Sequence, residues 1–236
     1  MTEKATGRPP GWNGGGRVAP TSGFVSSDVA GEFPGLRLDW ITVAISGRPR
    51  RSSPPGVVER LRHLANRYSG ATVVTMRTTP IPHAYRSFYR QIGLDPDVDR
   101  IPAERVAVER LLHGGFASVD LISDACLLAL LETGVPIWAL DADAIDEQGL
   151  GIRTTTPGDA GWRPGSEYLE PGMLAVSDGT TVHGLLFAEP ASAGAVRPRT
   201  TRVALFTVAV GGVPAIHVEE SLWICADLIS RGDSGE

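Results

Sequence analysis

The chain is poor in lysine and cysteine. Lys4 is its one lysine among 22 basic residues, and Cys126 and Cys225 are its two cysteines. Each cysteine sits in an apolar helical pattern, which favours buried free thiols of a cytoplasmic protein over a disulfide. Without histidines at matching spacing they do not make a zinc site either. No apolar run approaches the roughly 18 residues that a membrane span requires. Met1 to Pro10 holds no apolar stretch of the kind a secretory signal carries. The net charge of −5 argues against a strongly basic nucleic-acid binder and gives no reason to expect DNA. RNA contact stays open, because arginines can gather on one face, although codon composition is the plainer account of the arginine bias.

Short catalytic signatures are missing as well. Gly14-Gly15-Gly16 follows no strand and opens no helix with Lys-Ser/Thr, so it is no phosphate loop. His217-Val218-Glu219-Glu220 lacks the second histidine of a zinc protease helix. No Gly-x-Ser-x-Gly turn supports a serine nucleophile. Neither a metal nor another cofactor is implied.

What is present is an ordinary globular composition, 42% hydrophobic and 21% charged over 236 residues, enough for one sizeable core. Residues 1–22 are rich in Gly, Pro, Ser and Thr and are expected to form a disordered tail, leaving 23–232 as a single domain. Leu36–Ile45 alternates and becomes β-branched, a strand pattern. Arg48-Pro49-Arg50-Arg51 is a basic loop, either a solvated turn or a phosphate contact. Pro54-Pro55 opens a helix through Val57, Leu61 and Leu64 that stops by Gly70. Ala71–Met76 is expected to be extended on its β-branched content, and Pro80 and Pro82 to fix a loop. Helices follow with Tyr85, Phe88, Tyr89 and Ile92, then with Val106, Val108, Leu111 and Leu112, then from Asp120 to Thr133. Arg86, Arg90, Arg105 and Arg110 on them are read as solvent-facing charges, with an RNA-facing stripe as the alternative.

After Gly134 the pattern turns to short strands: Pro136–Leu140, Leu150–Arg153, Met173–Val176, Val182–Ala188 and Val203–Val210. Asp178-Gly179 marks a tight turn between two of them. Pro214 opens a last helix with Ile216, Val218, Leu222, Ile224 and Leu228 on its apolar side. The expected class is α+β: mixed sheets or a β-sandwich packed with helices.

The order helix, helix, apolar helix, Val135-Pro136-Ile137-Trp138-Ala139-Leu140-Asp141, then Gly151-Ile152-Arg153 resembles the B3/B4 region of the bacterial phenylalanyl-tRNA synthetase beta subunit. It resembles still more the free-standing proteins made of that region alone. Asp124, Pro136, Asp141 and Arg153 match the family's aspartate, its Pro-x-x-x-x-Asp run and its strand-ending arginine. Gly158-Asp159, Asp178 and Arg199-Thr200-Thr201 fall near a Gly-acid pair, a strand-end aspartate and a Thr-bearing strand. The likeness extends from residue 24 to about 230 and rests on order and spacing. It implies a tRNA-binding, editing-like role: hydrolysis in trans of mischarged aminoacyl-tRNA, with the aminoacylated 3′ end as partner. A non-catalytic module binding RNA or an amino-acid-like small molecule is the alternative. Trp138 stands where some synthetases have histidine. The acid that reads a tyrosine hydroxyl there has no counterpart in Ala191-Ser192-Ala193-Gly194-Ala195. A pocket lined by Trp138 suits an apolar or aromatic group.

The candidate binding residues are Trp138, Asp141, Arg153, His183, Thr200 and Thr201, with no residue assigned a catalytic role. Trp138 stacks on a ligand or is a core residue. Asp141, with Asp143, positions water or bonds turn amides. Arg153 holds a carboxylate or phosphate, or makes a structural ion pair. His183 is the best-placed general base if one acts, with a structural role as the alternative.

Overall fold

The computed structural model describes residues 19–45, 49, 51–161, 168–192 and 194–234. Among these the elements run β1 (Thr21–Ser22), β2 (Phe24–Val25), α1 (Ser27–Glu32), β3 (Arg37–Ala44), α2 (Pro55–Ala65), α3 (Gly70–Met76) and α4 (Pro80–Gln91). They continue α5 (Pro102–His113), α6 (Leu121–Thr133), β4 (Trp138–Asp141), β5 (Gly151–Thr154), β6 (Leu174–Ser177), β7 (Val182–Leu185), β8 (Arg202–Ala209) and α7 (Ala215–Ser234). The protein is therefore α+β. One sheet, ordered β1-β3-β8-β4, is wholly antiparallel. The other, β2-β5-β6-β7, is mixed, because β2 runs parallel to β5. No helix among the described residues is long and apolar enough to cross a membrane.

The alternation in β3 and β8 decides how the layers stack. Leu38, Ala204, Phe206 and Val208 face the second sheet, sharing a core with Ile152, Val176 and the α4 residues Tyr85, Phe88 and Tyr89. Their neighbours Ile41, Val43, Val203 and Leu205 face the other way, onto Ala125 and Ala129 of α6 and Leu222, Cys225 and Ile229 of α7. The chain passes from one sheet to the other at Gly23, between β1 and β2. A Cβ there would collide with the Leu150 carbonyl oxygen, so glycine is required by close approach. Thr21 and Ser22, at the end of the glycine-rich segment expected to be a tail, pair with Trp40 and Asp39. Residues 1–18 lie outside the described residues.

Several local expectations are overturned. Ala71–Met76 is helical: Ser69 caps it by accepting from the Thr72 N–H, and Thr72 and Thr75 hydroxyls donate to backbone carbonyls. Exposed threonines satisfied by their own backbone outweigh β propensity here. Pro80 and Pro82 start α4 rather than a loop, since the first helical turn needs no N–H from them. Leu111 and Leu112 are exposed, and α5 buries Ala103, Glu104 and Ala107 instead. Ile216 is likewise exposed, and α7 buries Val218, Leu222, Cys225 and Ile229.

Arg86 is the sharpest correction, because it is buried. Its Nη1 donates to both Glu104 carboxylate oxygens at 3.0 and 2.9 Å, and its Nη2 to Asp97 at 2.7 Å. The pair locks α4 to α5. Losing one partner leaves the other as an uncompensated buried charge, whereas replacing both with apolar groups does not. Arg86→Met is expected to cost about 3–5 kcal/mol in denaturant unfolding. The double variant Arg86→Met/Glu104→Leu should recover most of that loss.

Candidate functional site

Strand β4 has a partner on only one side. It pairs with β8, Trp138 opposite Phe206 and Asp141 opposite Val203, and no strand among the described residues pairs with its other edge. The backbone bond from the Ile45 N–H to the Thr201 carbonyl sets the alternation in β8, so Ala204 and Phe206 turn their backbone groups toward β4. Trp138 and Leu140 are thereby satisfied by β8. The N–H and C=O groups of Ile137, Ala139 and Asp141 point outward, as the Asp141 N–H does in bonding the Gly194 carbonyl at 2.9 Å.

An open cleft of about 1130 Å³ runs along this edge. Pro136, Ile137, Trp138 and Ala139 form its floor. Val106 of α5 and Ile122, Cys126, Leu127 and Leu130 of α6 form one wall, and Phe187 to Pro198 contribute the other. The seam between the middle helices and the later strands is therefore hollow. Arg51, Arg105 and Arg197 line it together with Glu109, Asp120 and Glu189, giving an amphipathic, zwitterionic lining around an apolar floor.

The aromatic end of the floor is built from both sheets. Trp138 stacks on its cross-strand partner Phe206, with ring centroids 5.7 Å apart and planes 21° apart. Phe187 lies 6.1 Å from Trp138 and also packs on Tyr85, Phe88 and Tyr89. Its φ of 60° is the one positive value at a non-glycine among the described residues. That conformation costs about 1–3 kcal/mol. Edge-to-face contacts worth about 0.5–1.5 kcal/mol each offset it.

Asp141 and Thr200 build the wall without lining the cleft. The Thr200 hydroxyl donates to Asp141 Oδ2 at 2.7 Å and accepts from the Arg197 N–H at 3.0 Å, while Asp141 Oδ1 accepts from the Asp143 N–H. Together with the Asp141–Gly194 bond, these hold the segment that carries Arg197, whose guanidinium also donates to the Ser192 carbonyl. Thr201 is exposed, and its carbonyl, just before β8, accepts from the Ile45 N–H just after β3. On the opposite side, buried Asp124 accepts from the Ser53 and Ser118 hydroxyls and the Val119 N–H. It clamps the start of α6 to the stretch following Arg51. Arg48 and Arg50 of the basic loop lie outside the described residues.

Arg153 and His183 lie elsewhere. Arg153, opposite Ala175, is on the outer face of the second sheet and makes a two-pronged bond to Asp159, 2.8 Å on each prong. That bond, aided by the Thr156 N–H, holds the Asp159 carboxyl well below the usual range. His183 is buried, and its Nε2 donates to Asp178 Oδ2 at 2.8 Å. Its Nδ1 has no partner among the described residues and sits close behind Gly194, where a Cβ would approach it to 2.8 Å. Neither side chain lines the cleft. Phe187, Arg51, Arg105 and Arg197, which do, carry no sequence signal as a group. Only the one-sided pairing of β4 brings them together. Among the described residues no group of three His, Cys, Asp or Glu is placed to hold a metal ion.

No protein-family model matches the chain, and no curated protein matches it in sequence.

The buried Asp178 gives a pH prediction. Burial would push its carboxyl up, but the N–H groups of Thr181 and Thr180, then His183, then the Asp146 N–H, outweigh that and bring it down to about 2 from 3.8. A depressed carboxyl stabilises the fold above its unfolded pKa, and the effect is lost as pH falls through the folded value. The native protein should lose about 2 kcal/mol between about pH 4 and 2 from this group. Urea titrations of Asp178→Asn should show that part of the slope removed.

Proposed function

We propose that the chain is a B3/B4-like protein that takes the aminoacylated 3′ end of a tRNA into the cleft along β4. The observation that carries this reading is the cleft itself. An aromatic floor ends in Trp138, outward backbone groups of Ile137 and Ala139 run beside it, and three arginines line the walls. Trp138 offers a stacking face for the terminal adenine or an aromatic side chain. Arginine is suited to phosphate and carboxylate, and Glu109, Asp120 and Glu189 to an α-ammonium group. The Ala139 N–H is a donor for an ester carbonyl, and a carboxylate in the lining can order a water near it. Hydrolysis on these groups needs no covalent nucleophile. The order of elements from Asp124 through Pro136 and Asp141 to Arg153 supports the family side of the proposal.

Asp141 and Thr200 keep their sequence-level importance as the bracket of the cleft wall. Arg153 and His183 act as fold stabilisers.

A panel of mischarged tRNAs tests the reading. The chain should release free amino acid from at least one of them faster than the spontaneous rate. Trp138→Ala should weaken binding by about 1–3 kcal/mol, the worth of one stacked base, while Arg153→Ala leaves binding unchanged. Binding without turnover favours the non-catalytic module. No binding to any charged tRNA sinks the editing reading and the RNA-binding form of the module, leaving only a small-molecule binder.

A further inference from the structure

The two cysteines expected as buried free thiols lie side by side. Cys126 Sγ, on α6, is 3.6 Å from Cys225 Sγ, on α7, although 99 residues separate them in sequence. Their situations differ. Cys126 is half-buried and belongs to the cleft wall, whereas Cys225 is fully buried among Leu222, Ile229 and the β8 side chains. One sulfur is thus reachable from solvent through the cleft and the other is reachable only through the first.

We propose that Cys126 and Cys225 form a reversible oxidation site, with Cys126 as the thiol attacked by a hydroperoxide and Cys225 as the thiol that resolves it. In the first step the Cys126 sulfur attacks the terminal peroxide oxygen. The O–O bond breaks, an alcohol or water leaves with the proton, and Cys126 becomes a sulfenic acid. In the second, Cys225 gives up its proton and its sulfur attacks the Cys126 sulfur, the S–OH bond breaks, and water leaves. Two thiols lose two electrons and two protons, and the hydroperoxide takes up both to give an alcohol (or water) and water.

The geometry suits the second step better than a search for a distant partner would. A disulfide needs its sulfurs about 2 Å apart, so rotation about the two Cα–Cβ bonds has only the remaining gap to close, between helices already packed together. Burial, followed by the contact with Cys126, pushes the Cys225 thiol up, which keeps it protonated and unreactive until a sulfenic acid stands beside it. Bond formation draws the Cys126 sulfur out of the cleft wall toward α7. Oxidation therefore changes the α6 side of the cleft and ties the two helices behind it. This holds whatever ligand the cleft takes.

The test uses the full chain, reduced and then treated with stoichiometric hydrogen peroxide. In the reduced folded chain, iodoacetamide should label Cys126 and spare Cys225 until the protein is unfolded. After peroxide, the intact mass should fall by two hydrogens. A tryptic digest should join residues 111–153 to 203–231, and dithiothreitol should reverse both changes while lowering Tm. In Cys225→Ser, dimedone should trap Cys126 as a sulfenic acid, and no link should form. Three results would overturn the proposal: Cys126 stopping at sulfenic or sulfinic acid in the native chain with Cys225 still free, a disulfide only between two molecules, or no reaction of either thiol before unfolding.

Discussion

The cleft exists because β4, a four-residue strand, pairs with a neighbouring strand on one side only among the described residues. An unpaired edge in a sheet interior is costly unless something else meets its N–H and C=O groups. In this fold the Asp141 end is met by Gly194, and the remainder opens onto the hollow between α5, α6 and the segment from Phe187 to Pro198. Everything around the hollow serves to keep that edge open but sheltered. Thr200 and Asp141 tie one wall to the strand, Asp124 ties the other to the start of α6, and Phe187 accepts a left-handed backbone to close the aromatic end.

The second sheet has a different task. Its inner face completes the core, and its polar networks, Arg153 on the outer face and buried Asp178 and His183 behind the cleft wall, stabilise the fold without lining the cleft. Arg153 closes a loop onto Asp159, and Asp178 gathers the turn amides and His183 beneath the β6–β7 hairpin. A charged or titratable residue at a strand end draws the eye as chemistry, yet here the Arg153 guanidinium and the Asp178 carboxylate are held by local partners, and His183 is committed to Asp178 through Nε2. The groups left for a ligand are plainer ones: a tryptophan, backbone amides and arginines of the cleft lining.

Much of the architecture was legible in the sequence. Helices α2, α5 and α6 and most strands after Gly134 fall near where alternation, proline and glycine place them, whereas α4 starts at the Pro80 expected in a loop and β7 ends at Leu185, short of Ala188. The α+β class follows from their order. Segments with weak periodicity were misread, as at Ala71–Met76, where side-chain hydroxyls decide the matter locally. Arg86 was misread because nothing local reveals that Glu104, 18 residues on, arrives beside it. Of the site, Trp138 was legible as an aromatic at the head of a strand. Arg153 and His183 drew attention through residue type, but Asp159 engages both prongs of Arg153 and Asp178 holds His183 by Nε2, and neither side chain lines the cleft. The cysteine pair was legible only as two apolar positions, since the 99-residue separation hides a contact made by the packing of α6 on α7.

The central claim is that the open edge of β4 is where a ligand meets this protein. A stable amide analogue of an aminoacylated adenosine, titrated into isotope-labelled protein and followed by amide and indole NMR shifts, tests it most directly. The account predicts saturable shifts at the Trp138 indole, the Ala139 amide and the α6 residues of the cleft, with Arg153 and His183 unmoved. Shifts centred on the outer face of the second sheet, or none at β4, would contradict it.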